Sequence, residues 1–359
     1  MISPHPLPEL GLIEGFYGTP WTWQERARNI AFLAPHGYRF YLYAPKADAY
    51  LRRQWQVQHS EQWTREFQTL SQFCKAHQVR VGLGISPFEI YLNFDADAQQ
   101  ALAQKLAFFD QLGIDDLAIL FDDMRGDVPQ LAQKQAEIVH WAVERTSASR
   151  ILVCPSYYSD DPVLDRVFGK REPAYLSDLG RALDPQIEIM WTGEEVCSRA
   201  FSSGHLKQVA HELQRKPFLW DNYPVNDGQR MSQYLHLRGF TGRQHQHAEL
   251  IAAHGVNPSL QATLALIPML TLTDVYRQGE QYQYRKSAHR AAIEVLGAEL
   301  GDLLHEDILT LQDIGLDRLA EKADVLRQRY QDSEHAGARE IIAWLDGVYR
   351  ISNELVQTQ

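Results

Sequence analysis

Cysteine is scarce in this 359-residue chain: Cys74, Cys154 and Cys197 are widely spaced and form no CxxC pair. That spacing argues against a disulfide framework or a zinc knuckle and suits a reducing compartment. Long apolar runs are missing, and no segment approaches the ~18 consecutive apolar residues of a membrane span. The opening Met1-Ile2-Ser3-Pro4-His5-Pro6 has neither a basic n-region nor an apolar h-region, so no export signal is expected and the cytoplasm is the expected location. Positive charge is short too: 35 Lys and Arg face 46 Asp and Glu, a net −11, with no basic stripe. Phosphate neutralisation needs clustered cations, so nucleic-acid binding is set aside.

What is there is globular. Hydrophobic residues make up 45% and charged residues 23%, and the length implies one large domain with an appendage, or two domains. Eight short β-branched and aromatic runs alternate with helical patterns: Leu10 to Phe16, Tyr38 to Ala44, Val79 to Ile85, Leu117 to Asp122, Ile151 to Pro155, Ile187 to Thr192, Phe218 to Asp221 and Leu250 to Val256. Alternation of this kind predicts repeated βα units, and eight of them predict a (β/α)₈ TIM barrel. Thr19-Pro20 reads as the cap of a first helix that Gly37 stops, while Ser60 and Asp95 cap the next two, the latter closed by Gly113. After Pro258 only helical periodicity remains, through Leu260 to Tyr276, Ala291 to Leu296, Leu311 to Tyr330 and Glu340 to Val356. The expected division is a catalytic barrel over 1–258 and an all-helical region over 259–359, with Asp317 to Asp332 a solvated helix face.

In such barrels the C-terminal strand ends build the active site. Here they are polar and aromatic: Glu14-Gly15-Phe16-Tyr17-Gly18, Tyr43-Ala44-Pro45-Lys46-Ala47-Asp48, Phe121-Asp122-Asp123, Cys154-Pro155-Ser156-Tyr157-Tyr158, Trp191-Thr192-Gly193, Trp220-Asp221-Asn222 with Asn226-Asp227, and Asn257-Pro258. One such end is an ordinary turn; seven at the same end of one architecture point to a pocket. Neighbours in a strand face opposite ways, so Asp122 and Asp123 share a pocket only if the strand ends beside them, as Met124-Arg125-Gly126-Asp127 suggests. Two carboxylates in a poorly solvated site resist joint ionisation, so one is expected to titrate upward and serve as an acid. A cap, a salt bridge to Arg125, and a divalent-metal site that also uses Asp127 are the competing readings. Trp220, Tyr158, Asn222, Asn257, Lys46 and Asp227 suit a sugar better than a metal.

These motifs, in this order and with Ile85-Ser86-Pro87 among them, resemble glycoside hydrolase family 84, the O-GlcNAcases and bacterial β-N-acetylglucosaminidases, over roughly the first 260 residues. The resemblance implies a retaining β-N-acetylglucosaminidase without a cofactor, in which the substrate's 2-acetamido group is the nucleophile. It implies that Asp122 orients that group and that Asp123 is general acid and base. Tyr158 and Asn222 are then expected around the acetamido group, Trp220 on its methyl, Gly15, Lys46, Asp227 and Asn257 on the sugar hydroxyls, and Thr192 and Cys154 as lining, Cys154 with no nucleophilic role. Phe88 stands where the family usually has glycine, and Gln261 where relatives tend to carry an acid. In that family the C-terminal helices pack against the barrel or mediate dimers. The expected partner is a GlcNAc-bearing glycoside or glycoprotein; a silent GlcNAc-binding protein and a metal-dependent barrel enzyme are the other readings.

Overall fold

The computed structural model describes residues 7–352; the opening hexapeptide and the end of the last expected helical run lie outside the described residues. The strands are β1 (Glu9–Glu14), β2 (Tyr38–Tyr43), β3 (Arg80–Ile85), β4 (Asp116–Leu120), β5 (Arg150–Cys154), β6 (Glu188–Trp191), β7 (Phe218–Asp221) and β8 (Ala253–Val256). They form a closed parallel barrel in sequence order, β8 returning to pair with β1. The helices are α1 (Trp23–Leu33), α2 (Glu61–Ala76), α3 (Ala96–Leu112), α4 (Leu131–Val143), α5 (Pro162–Phe168), α6 (Tyr175–Ala182), α7 (Ser203–Leu213), α8 (Leu266–Gln278), α9 (Tyr284–Leu296), α10 (Ala298–Asp313), α11 (Lys322–Tyr330) and α12 (Ala336–Leu345). This is a (β/α)₈ TIM barrel followed by a helical region. No described helix is long and apolar enough to cross a membrane.

Ser60 and Asp95 cap α2 and α3, and Gly113 ends α3 at φ 71°. The first helix departs from expectation: its cap is Thr22, not Thr19. Thr22 accepts from the Glu25 N–H while the Glu25 carboxylate accepts from the Thr22 N–H, a reciprocal pair that Thr19 has no glutamate to make. The eighth strand starts at Ala253 because a 3₁₀ turn at His245–Glu249 occupies the approach. The expected run from Leu311 to Tyr330 is broken after Asp313, where Gly315 adopts φ 84°, and α12 stops at Leu345, before Gly347 at φ 76°.

The strands end at Val256, but the core does not. One hydrophobic cluster runs from Leu10 through Trp191 to Trp344 and Ile351. Residues Leu266 to Tyr276 of α8 are buried along the whole run, and Glu340 of α12, itself buried, accepts from the Thr263 and Leu264 N–H groups at 2.8 and 2.9 Å. At the opposite end of the barrel, the first residues of five strands form an ionic floor. Arg150 grips Glu188 through two nitrogens at 2.8 and 2.6 Å and meets Glu9 at 3.1 Å. Arg80 bridges Glu9 and Asp116, each at 3.2 Å.

Candidate active site

At the C-terminal end, β4 finishes at Leu120 while the Phe121 N–H still donates to the Cys154 carbonyl at 2.8 Å. Asp123 then takes φ 55°, a left-handed conformation that aspartate tolerates better than most residues and that costs about 1–2 kcal/mol. That turn brings consecutive carboxylates into one pocket. The sequence requires the strand to stop; the structure shows that it stops and reverses hand.

The cavity holds about 270 Å³, room for a monosaccharide rather than a long chain. Gly15, Lys46, Asp122, Asp123, Cys154, Tyr158, Thr192, Trp220, Asn222, Asp227 and Asn257 all line it, so the residues expected around the sugar are brought to one place. Gly15 is required: a Cβ there would meet the Trp220 ring at 2.3 Å. Asn222 is a brace as much as a contact, since its Oδ1 accepts from Trp220 Nε1 at 3.0 Å and Asn257 Nδ2 at 2.9 Å while its Nδ2 donates to the Val196 carbonyl. Lys46 donates to Asp122 Oδ2. Asp122 Oδ1, although buried, has no partner among the described residues.

Asp123 accepts from the Tyr17 hydroxyl at 2.5 Å and the Tyr158 hydroxyl at 2.8 Å. Burial pushes its carboxyl up, but Lys46, Arg52 and the two phenols outweigh it and hold the group below the usual carboxylate range. The expectation that one of the pair titrates upward therefore fails for Asp123: cations and hydroxyl donors, not carboxylate repulsion, dominate. The raised carboxyl is Asp227, pushed up to about 6 by burial against the pull of the Tyr17 N–H, with Asp123 adding to the rise. That N–H donates to Asp227 at 2.8 Å. Burial, reinforced by Asp122, raises the Cys154 thiol well above its ordinary value, so it stays protonated.

Sequence reasoning left Tyr17, Val167, Phe168, Val196, Cys197 and Val225 without roles, yet they complete the lining. Tyr17 lies inside a quoted motif and could have been found there; Val167 and Phe168 end the short helix α5, and Val196, Cys197 and Val225 sit in loops with no periodic signal. Phe88, which stands where the family usually has glycine, is a platform for Arg52 and Arg53, whose guanidinium carbons lie 5.6 and 4.1 Å from its ring centroid. Gln261 is buried and accepts from Asn226 at 2.9 Å. Arg125 pairs with Asp127 at 2.5 Å away from the cavity, so neither the salt bridge to the aspartate pair nor the Asp127-assisted metal site is formed. Among the described residues no group of three or more His, Cys, Asp or Glu is arranged to hold a metal ion. A larger cavity, about 640 Å³, adjoins through Val196, Cys197 and Asn222, but it contains neither aspartate of the pair.

Comparison with known proteins agrees with this geometry. The family model for beta-N-acetylglucosaminidase matches residues 10–309. Protein O-GlcNAcase from Mus musculus and that from Rattus norvegicus are each 26% identical over 276 residues, which is 74% of this chain and 30% of theirs; the chain thus spans under a third of the length of those relatives. A mutant of the Thermobaculum terrenum O-GlcNAc hydrolase superposes with a TM-score of 0.79 at 26% identity, covering 96% of this chain and 81% of that one. With the family model spanning most of the chain and the barrel closed around the motifs that define the resemblance, the chain belongs to the β-N-acetylglucosaminidase family, glycoside hydrolase family 84.

Proposed function

We propose that the protein is an O-GlcNAcase-like retaining hydrolase of terminal β-linked GlcNAc. The observation that carries this reading is the divided state of Asp122, one oxygen held by Lys46 and the other buried without a partner. A buried acceptor of this kind costs free energy until a donor arrives, and the N–H of a 2-acetamido group is such a donor. Gripping it turns the acetamido carbonyl oxygen toward the anomeric carbon, and the Asp122 charge stabilises the positive charge that develops on the amide.

In the first step that oxygen forms a bond to C1 as the glycosidic bond breaks. Asp123, in the fraction of molecules in which it has taken up a proton from solvent, gives that proton to the departing oxygen, and the amide N–H proton moves toward Asp122, leaving an oxazoline. In the second step Asp123, now a carboxylate, takes a proton from water, whose oxygen bonds C1 while the C1–oxazoline bond breaks and the amide regains its proton. Two inversions give retention, and because the nucleophile belongs to the substrate the usual carboxylate-separation rule does not govern. Trp220 walls the acetamido methyl, Tyr158 and Asn222 frame its polar end, Thr192 and Cys154 line the floor, and Gly15, Lys46, Asp227 and Asn257 hold the hydroxyls. Three free cysteines favour a reducing compartment, the cytoplasm, as its place of action, and the C-terminal helices are the surface on which a homodimer would form.

Release of nitrophenol from nitrophenyl β-N-acetylglucosaminide, compared with the β-glucoside, tests the reading. Cleavage of the first alone is expected, because only it carries its own nucleophile. Cleavage of both refutes substrate assistance, and folded protein that cleaves neither points to a sugar-binding protein.

A further inference from the structure

We propose that Arg52 is a positioning residue for proton transfer: its buried guanidinium clamps the Asp123 main chain in the left-handed turn and faces the Asp123 side chain as an otherwise unpaired cation. The inference rests on the reading of Asp123 as acid and base. Arg52 is only 2% exposed, and its Nη2 donates to the Asp123 carbonyl at 2.9 Å. Its Nε and Nη1 have no hydrogen-bond partner, and it forms no salt bridge among the described residues. A buried cation is normally paired, because burying an uncompensated charge costs several kcal/mol. Here, without a salt-bridge contact, the guanidinium acts on the carboxylate of the very residue whose backbone it holds, pulling it down, and packs against the face of Phe88.

The turn that presents Arg52 is fixed. Asp48 accepts from the Tyr50 N–H at 3.1 Å, the Arg52 N–H donates to the Ala49 carbonyl, and the Leu51 carbonyl accepts from the Ser86 N–H at 2.7 Å, tying the turn to the end of β3. The single Nη2–H bond to the carbonyl holds the Asp123–Met124 peptide plane and, through it, where the Asp123 carboxyl points. The other groups that face Asp123 are the Tyr17 and Tyr158 hydroxyls, Lys46, Asp122, Asp227 and the Cys154 thiol. Of these only Lys46 is a second cation, and it is already committed to Asp122.

The full chain carrying Arg52→Met or Arg52→Lys is assayed on two β-N-acetylglucosaminides, methyl, whose departing oxygen needs a proton, and dinitrophenyl, whose oxygen does not. Misplacing a reacting group costs on the order of 10²-fold, so Arg52→Met is expected to lose about that on the methyl glycoside and far less on the dinitrophenyl one. Removing the cation raises the Asp123 carboxyl, so the alkaline limb of kcat/KM on the methyl glycoside moves to higher pH. Arg52→Lys keeps the charge and leaves the limb in place, while losing part of the methyl rate with the guanidinium's hold on the carbonyl. Equal losses on both substrates with an unmoved limb, or no loss at all, overturn the proposal. Should Arg52→Met not fold, the leaving-group contrast in Arg52→Lys decides in the same way. Carbon-detected NMR titration of Asp123 needs no turnover: if wild type cleaves neither glycoside the hydrolase reading fails, whereas an unshifted Asp123 titration in Arg52→Met refutes the facing cation specifically.

Discussion

The two ends of the barrel gather the same charges and use them differently. The floor has Glu9, Asp116 and Glu188 with Arg80 and Arg150; the mouth has Asp122, Asp123 and Asp227 with Lys46 and Arg52. On the floor both arginines bridge carboxylates, and every carboxylate has an arginine. At the mouth only Lys46 and Asp122 are paired in that way. Among the described residues Asp227 has no cation in contact and Arg52 has no salt bridge, and Asp123 is held by phenols. Yet burial pushes one carboxyl at each end, Asp116 and Asp227, up to about 6. Proximity to cations is therefore not what separates the ends. What separates them is what meets the atoms that lack an aligned hydrogen bond: on the floor Arg80 Nε, Asp116 Oδ1 and Arg150 Nη1 each lie against an opposite charge, whereas at the mouth Arg52 Nε and Nη1 form no salt bridge and Asp122 Oδ1 is left for a ligand to complete.

That contrast is breakable. The largest effect is expected at the aspartate pair, where Asp122→Asn or Asp123→Asn lowers kcat on a methyl glycoside by about 10²- to 10⁴-fold. An activated leaving group should rescue only Asp123→Asn; rescue of both, or of neither, would contradict the division of labour between orienting group and acid–base. On the floor, Arg150→Met strands Glu188 and weakens Glu9, with an expected stability loss on the order of 3 kcal/mol, read by urea unfolding, and an unchanged kcat/KM. A comparable loss of activity in folded protein would erase the distinction between the ends.

A smaller effect tests Asp227. As an acceptor for sugar hydroxyls it works when ionised, so binding weakens as pH falls through about 6 and the carboxyl takes up its proton. Asp227→Asn cannot titrate; it should raise KM about 10-fold at neutral pH, as expected for a lost hydrogen bond to a charged group, and remove the acid limb of kcat/KM. Persistence of that limb assigns it elsewhere. The smallest expected effect is that of a chelator: EDTA should leave turnover unchanged, and inhibition reversed by a divalent ion would revive a metal-dependent reading.

Much of this was legible in the sequence because strands buried on both faces are written as apolar runs, as in Leu117 to Leu120, and because a barrel exposes its chemistry at one end of each run. The positions of Lys46, Tyr158, Trp220 and Asn257 around one cavity follow from that rule once the strands are in order. What was hidden depends on single dihedral angles and on contacts far apart in the chain. No pattern in Phe121-Asp122-Asp123-Met124 announces a left-handed second aspartate. The direction in which Asp123 shifts depends on Arg52 and Tyr17, 71 and 106 residues away. The helical region was legible as helix but not as core, since periodicity shows that a face is apolar and not what it covers.

The latch between Glu340 and the amides of Thr263 and Leu264 has a consequence for how the molecule is made. Chain synthesis delivers β8, the strand that closes the ring against β1, well before the acid that secures the segment behind it, which follows Leu264 by 76 residues. A nascent chain lacking α12 would leave the Thr263 and Leu264 N–H groups without their acceptor, an invitation to chaperones or to aggregation. Ribosomes stalled before Glu340 emerges should thus hold a barrel that is closed but unsealed, more sensitive to protease near Leu264 than the full chain.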